Sequence, residues 1–463
     1  MDHKIAKRAA LAVLTMGIAV QAMAAEDMPQ AVTAPLVANV ADTQEVELTL
    51  DKAVQMALDY NRDIKIARGA LKQAEWAVGE ASAGKMPTIN YGFTANRGSS
   101  SSTTSGTLQS RDSIDNRYTQ TAGVSLPLYT GGAVEGQIDV ARYARESAKQ
   151  GVLSAEEVAK FNAVNGYYTL LESYNLHDVA KESVSNLQGH VDNVQAQYNV
   201  GIVAKLDVLT SQVSLADAKA SEISASNTVA VSEASLNQIL GLPLQTKLKL
   251  IDTQMPFDAF TITLQEAWDY AMANRPEVLQ ADLAVKQAKE QVGIAAAGTM
   301  PKISVGASND WGSQHWNKGY SDDWGVYGTI SFNLWDGGAT QNKVGSAREG
   351  VRIAEEQAAQ QRESVQLEVK QAYLNISSAA EKVRATQAAV AQAEESFKIA
   401  TVRYRAGVGI NLDVLDAQLA LNQARTNYIQ ALYDYNVGLA TLEKAMGVNV
   451  QDNMINAVKN AKK

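Results

Sequence analysis

The chain of 463 residues contains no cysteine. Disulfides, thiolate metal sites and thiol nucleophiles are excluded, and so is a lipid-modified N-terminal cysteine. Histidine is nearly as scarce: there are four, and His3 falls in the first few residues. His190 and His315 read as isolated, and His177 as a packed position on a helix seam. No H-E-x-x-H, G-x-x-x-x-G-K-[ST] or G-x-S-x-G pattern occurs, nor any metal-spaced cluster. The sequence points to no enzyme, no metal and no cofactor, so an energy source has to come from a partner. Long apolar runs are also missing. No segment offers about 18 uninterrupted apolar residues, which excludes a membrane-spanning helix. A β-barrel remains as a route into an outer membrane. The net charge of −9 argues against nucleic acid as a partner.

The N-terminus has the order of a secretory signal over residues 1–24: Lys4, Lys7 and Arg8, then the apolar stretch Leu11 to Val20, then Ala22-Met23-Ala24. Its loss would take the net charge to about −11. Residues 25–47 read as a loose polar arm with Pro29 and Pro35.

What is present is present twice. TLDKAVQMAL…GKMPTINYGF from Thr49 is matched by TLQEAWDYAM…GTMPKISVGA from Thr263, an offset of 214 residues without a gap. VSLPLYTGGA (Val124 to Ala133) pairs with ISFNLWDGGA (Ile330 to Ala339), and YNVGIVAKLDVL (Tyr198 to Leu209) with YRAGVGINLDVL (Tyr404 to Leu415), both at an offset of 206. The offset changes only within a polar stretch, so the halves differ by a loop length. A period of that size is too long for a solenoid; it marks one structural half used twice.

Each half predicts the order helix, strand, strand, helix, helix. The first repeat covers 48–242, with strands at about 88–97 and 118–129 and long helices at about 132–198 and 205–240. A linker at 243–261 carries Pro243 and Pro256 as breakers. The second repeat covers 262–447, with strands at about 302–311 and 325–335 and helices at about 338–404 and 411–446; a polar tail, 448–463, follows. In each half a single Ala-rich helix is expected to run from Thr49 or Thr263 to Gly84 or Gly298, ended by the Met-Pro pairs 86–87 and 300–301.

The strands rest on alternation. Ile89, Tyr91, Phe93 and Ala95 alternate with Asn90, Gly92, Thr94 and Asn96, and Ala122, Val124, Leu126 and Leu128 share one face of the next strand. About ten residues of this pattern is the length of an outer-membrane strand. Aromatics fall at the two ends, Tyr129 and Trp335 on one side and Trp311, Trp316 and Trp324 on the other, as in interfacial belts toward membrane lipid. The Ser/Thr/Gly/Asp-rich stretches Gly98 to Arg117 and Gly312 to Asp323 read as outer loops.

Proline, present only eight times, is absent from Gly132–Tyr198 and from Gly338–Tyr404. Each stretch predicts on the order of 100 Å of helix at 1.5 Å per residue. Val369, Ile376, Val383, Val390, Phe397 and Tyr404 recur every seventh residue, with Ala372, Ala379, Thr386, Ala393 and Ala400 three places on. The last helix repeats this with Val414, Leu421, Tyr428, Tyr435 and Leu442. Such repeats impose a left-handed coiled coil, and this seam is packing.

Four strands cannot close a membrane barrel; about eight are needed, and open edges in lipid leave backbone groups unsatisfied. The chain must therefore oligomerise, and three copies supply twelve strands. With these features in both halves, the sequence closely resembles the TolC-type outer-membrane efflux family. The likeness runs from about Leu48 to Gly447 and is carried by the duplicated element order, the Met-Pro junctions, the Gly-Gly turns and the two Y-x-x-G-x-x-x-x-L-D-V-L turns. It implies a homotrimeric tunnel: a twelve-stranded β-barrel in the outer membrane, four strands per chain, continued by a long α-helical coiled-coil barrel in the periplasm. It also implies docking to a periplasmic adaptor protein and an inner-membrane pump, and export of drugs, small toxic compounds or proteins. A coiled-coil tether between outer membrane and cell wall, or a stand-alone pore, is the alternative. Membrane-length strands count against the first, and 100 Å of helix against the second.

The site residues expected to matter lie at the turns farthest from the membrane. Gly201 and Gly407 suit helix C-termini. Asp413 and Asp416, three apart, share one helix face. Either they form a ring of carboxylates at the tunnel mouth, or they only offset the helix dipole; the resemblance implies the ring. It also implies that Tyr404 reaches Asp207 in the other turn and holds the mouth shut. Gly409 stands where the best-known family member has an arginine that ties the closed state. Lys205 in the partner turn is a candidate replacement.

Overall fold

The computed structural model describes residues 45–103, 110–258, 260–316, 321–450 and 454. From Val46 onward these belong to one unit. The expected signal and most of the arm and of the tail lie outside the described residues.

A short strand, β1 (Val46–Leu48), leads into α1 (Leu50–Tyr60) and α2 (Arg62–Ala83). A long hairpin follows, β2 (Thr88–Thr103) and β3 (Ser110–Tyr129), then α3 (Ala133–Asn199) and α4 (Lys205–Leu240). The short strand β4 (Leu248–Leu250) opens the second half, which continues with α5 (Leu264–Asn274), α6 (Pro276–Ala296), β5 (Lys302–Ser313), β6 (Ser321–Ser331), α7 (Ala339–Arg405) and α8 (Asn411–Met446). The helices α3 and α7 are each 67 residues long, and α4 and α8 each 36.

The four long strands form one antiparallel sheet in the order β2-β3-β5-β6. Register aligns Ile89, Val124, Ala307 and Val326 across all four strands, and one residue on aligns Asn90, Gly123, Ser308 and Gly325. One face is therefore apolar and the other small and polar. On the polar face Thr121 Oγ1 donates to Asp310 Oδ1 at 2.6 Å. Within the protomer β2 and β6 are edges, and the apolar face is open: Ile89, Tyr91, Val326 and Ile330 are all exposed.

Two strand expectations need correction. The ladder β2–β3 runs on to Thr103 opposite Ser110, into what was expected to be loop. Backbone pairing satisfies N–H and C=O groups whatever the side chains, so polar sequence does not bar a ladder. Conversely, β6 ends at Ser331 and not at residue 335, so Trp335 lies beyond the sheet.

At the sheet's helical end, Gly131 and Gly132, and Gly337 and Gly338, all have left-handed φ. Only glycine adopts such a pair without strain. A Cβ on Gly131 would also come 2.7 Å from Met300 Cβ, so the first half's Gly-Gly turn packs on the second half's Met-Pro junction.

The main core girdles the long helices at mid-length, where Tyr167, Leu170, Leu236, Leu240, Ile376, Tyr435, Leu442 and Met446 are buried with Leu48 and Leu248. One expectation fails here. Val46 and Glu47, the end of the expected arm, are not loose: with Leu48 they pair in parallel with Leu248–Leu250 inside the expected linker. That linker is strapped to the helices through Tyr167 Oη to Asp252 (2.5 Å), Asn237 Nδ2 to the Thr246 carbonyl (2.8 Å) and Asn436 Nδ2 to the Pro256 carbonyl (2.9 Å).

The Ala-rich helix of each half is also two helices, jointed at Asn61 and at Arg275. Asn61 caps α2 by accepting from Asp63 N, and Arg275 precedes Pro276, which disfavours helical geometry at that residue. The left-handed C-terminal glycines of the shorter helices meet these joints. A Cβ on Gly241 would lie 3.0 Å from Tyr60 Cβ, and one on Gly447 2.8 Å from Arg275 Cα. Thus the C-terminal ends of α4 and α8 pack against the two joints.

Candidate gate at the helix turns

Opposite the sheet, the chain turns between α3 and α4 and again between α7 and α8. Gly201 and Gly407 end the long helices with left-handed φ of 81° and 73°. The N–H of Gly201 donates to Tyr198 O and that of Ile202 to Gln197 O; Gly407 and Val408 repeat this on Tyr404 O and Arg403 O. These paired bonds satisfy the last carbonyls of both helices. The turns close over a small cluster of Val194, Val208, Tyr404 and Val414.

Asp413 and Asp416 lie exposed on the first turns of α8, and neither carboxylate accepts a hydrogen bond among the described residues. Lys205 is exposed at the start of α4 and makes no ion pair among the described residues. Asp207 is half-buried.

The expected Tyr404–Asp207 link is not formed. Tyr404 is buried and its hydroxyl has no hydrogen-bond partner among the described residues. Burial, and then the nearby Asp207 charge, push the phenol's pKa up. The ring packs in the cluster with Val194, Val208 and Val414, and its centroid lies 5.1 Å from that of His190. The Asp207 backbone carbonyl is taken by Asn411 Nδ2, at 3.2 Å.

The sequence reading attached no role to His190 beyond its isolation from other candidate ligands, and did not single out Asn411. His190 is buried, with Nε2 2.6 Å from Asn411 Oδ1. Ser211 Oγ donates to the same oxygen at 3.1 Å, and Asn411 Nδ2 also donates to Thr210 Oγ1 at 3.2 Å. Further up α8, Gln418 Nε2 donates to Asn422 Oδ1 (2.8 Å), and Asn422 Nδ2 to Ser183 Oγ (2.8 Å). Arg425 pairs with Glu182 on α3 (2.5 Å) and with Glu394 on α7 (2.8 Å). Asn411, Gln418 and Arg425 are spaced by seven, which is the signal that could have found them: a polar stripe beside the apolar seam of Val414 and Leu421. Among the described residues there is no group of His, Asp or Glu that could hold a metal ion.

At the other end, Tyr129 closes β3 and Trp324 sits on the apolar face of β6, 74% exposed. Trp335, 82% exposed, lies just past β6. Trp311 is half-buried on β5, and Trp316 packs edge-on against Phe93 and Tyr118.

A duplicated sheet-and-long-helix protomer with a double turn at its far end is the subunit fold of an outer-membrane channel-tunnel. The chain belongs to the outer membrane efflux protein family, which it matches over residues 53–242 and 268–448. It is 27% identical over 313 residues to outer membrane protein TolC of Escherichia coli, covering 63% of this chain and 62% of that one. The alignment thus spans about three-fifths of that relative's length. It is 26% identical to the alkaline protease secretion protein AprF of Pseudomonas aeruginosa, over 78% of this chain and 77% of AprF. The solved structure of the outer membrane protein VceC from Vibrio cholerae shares the fold, with a TM-score of 0.71 at 19% identity over 87% of this chain and 97% of VceC.

Proposed function

We propose that this chain is the outer-membrane exit duct of an efflux or secretion machine, a passive conduit assembled as a homotrimer. One observation carries the reading: an open-edged sheet with one apolar face leads, through Gly-Gly turns at one end only, into helices on the order of 100 Å long. The exposed edges of β2 and β6 require neighbouring strands, since unpaired backbone groups are not tolerated in lipid. Three copies place twelve strands in a barrel in the outer membrane, with Tyr129, Trp324 and Trp335 near its interfaces. The helices continue it into the periplasm, where a periplasmic adaptor and an inner-membrane pump dock and supply the energy. The tip turns form the gate. Asp413 and Asp416, exposed and free of hydrogen bonds, give six carboxylates in a trimer and a preference for cations.

Single-channel conductance in a planar bilayer tests this, comparing the purified chain with the Asp413→Asn, Asp416→Asn double variant. A small cation-selective conductance whose selectivity falls in the variant supports the duct and its mouth. No conductance from well-folded protein would sink the duct reading, and a crosslinked assembly of two or four chains would sink the trimer.

A further inference from the structure

We infer that His190 and Asn411 together position the second tip turn, and with it the Asp413 and Asp416 carboxylates, and that proton uptake by His190 loosens that hold. This rests on the duct reading and deepens it.

Asn411 is the first residue of α8, so what fixes it fixes the start of the helix bearing both carboxylates. It is buried, and its amide is saturated from the other hairpin: Nδ2 donates to the Asp207 carbonyl and Thr210 Oγ1 on α4, and Oδ1 receives Ser211 on α4 and His190 on α3. A backbone carbonyl can only accept, which sets the orientation of the amide. Oδ1 therefore faces His190, and Nε2 must carry the proton and donate. One side chain thus joins three helices of the tip.

His190 is 8% exposed. The groups around it offer an imidazolium no counter-charge. From α7 come the Tyr404 ring and Arg405, whose charge opposes a second cation. From α8 comes the neutral Asn411. From α4 come Ser211, which bonds the same Asn411 oxygen, and Asp207, whose charge acts on Tyr404. Burial first, and then Arg405, hold the imidazole's pKa below its ordinary value, while the bond to Asn411 acts the other way. The neutral ring is native at pH 7. As pH falls below about 6.5, a loosened tip that exposes the ring takes up a proton more readily than the closed tip, so the closed state loses ground.

The test is open probability in planar bilayers between pH 7.5 and 5.5. The wild-type chain, His190→Gln and Arg405→Gln are compared, with helical melting by circular dichroism confirming that each is folded. Glutamine can donate to Asn411 but cannot take up a proton. The wild type should open more as pH falls, with the loosening equilibrium of each tip shifting by at most about tenfold per pH unit. His190→Gln should stay closed and flat across the range. Arg405→Gln, a change at an exposed position, should shrink the response. A His190→Gln channel with the wild-type pH response would overturn the inference while leaving the duct intact, as would a wild type with no response. Absence of conductance from every folded form removes the duct and the inference with it.

Discussion

Arg275 donates from Nη1 to the carbonyl oxygen of Ala445 at 2.6 Å, capping the last turn of α8 with the residue that joints α5 to α6. The same guanidinium pairs with Glu277 (3.0 Å) and Glu368 (2.8 Å). It is buried, so truncation leaves a carbonyl and two carboxylates without their partner. Arg275→Ala should cost about 2–4 kcal/mol, seen as a lower melting temperature of the helical signal. The counterpart in the first half, Asn61, only caps α2, and Asn61→Ala should cost about 1 kcal/mol. Equal losses in the two variants would contradict the asymmetry.

Glu157 is buried on α3, and its pKa is pushed up to about 8 by burial and then by Glu277 nearby. The unfolded chain ionises near 4.5, so between 4.5 and about 8 the folded state holds a proton that the unfolded state has released. Stability from this group is complete below 4.5 and drains away as pH rises, by at most about 1.4 kcal/mol per unit. Glu157→Gln should therefore melt with the wild type near pH 4.5 and above it at pH 8. Melting curves that coincide at pH 8 would show that the carboxyl finds compensation there.

Much of the architecture was legible because period-two and period-seven patterns report directly on which faces are buried. Ile89 and Val124 lie in one row of the sheet, and Val369, Ile376 and Val383 are all buried on α7. Less visible were features set by contacts between distant segments. Nothing local in Leu248–Leu250 names Val46–Leu48 as its partner. The joint at Arg275 did have a local signal, Pro276, masked by the strength of the Ala-rich pattern around it. At the tip, glycine and aspartate positions were readable from the repeated turn. The His190–Asn411 pair was not, because it depends on which helices touch.

Gly409 and Gly201 are glycines for different reasons, and substitution should separate them. A Cβ at Gly409 would lie 3.0 Å from Tyr404 N and 3.2 Å from Arg403 Cβ, whereas at Gly201 nothing lies within 4 Å but φ is +81°. Gly201→Ala should cost about 1–2 kcal/mol through backbone strain alone. Gly201→Asn should recover part of that, since asparagine tolerates the left-handed region. Gly409→Ala should cost about 1 kcal/mol through crowding, and Gly409→Asn should recover nothing. Gly409→Arg carries the same Cβ, so it should disturb the Tyr404 end of α7 and not simply add a tie. Melting of the four point variants below arginine checks the distinction; recovery by asparagine at both positions would refute it.

Val326 and Ser308 stand on opposite faces of adjacent strands, Val326 pairing with Ala307 and Ser308 with Gly325. In water, with Val326 already 75% exposed, arginine at this position should cost little. In a bilayer the same change should cost about 2–4 kcal/mol near the midplane, because the apolar face meets lipid. Ser308→Arg, on the polar face, should be tolerated in the bilayer and should alter only the conductance. Denaturant titration of protein refolded into phosphatidylcholine vesicles distinguishes the two. A Val326→Arg variant as stable as the wild type in vesicles, beside a destabilised Ser308→Arg, would turn the sheet inside out and place the polar face toward lipid, which the row Asn90, Gly123, Ser308 and Gly325 argues against.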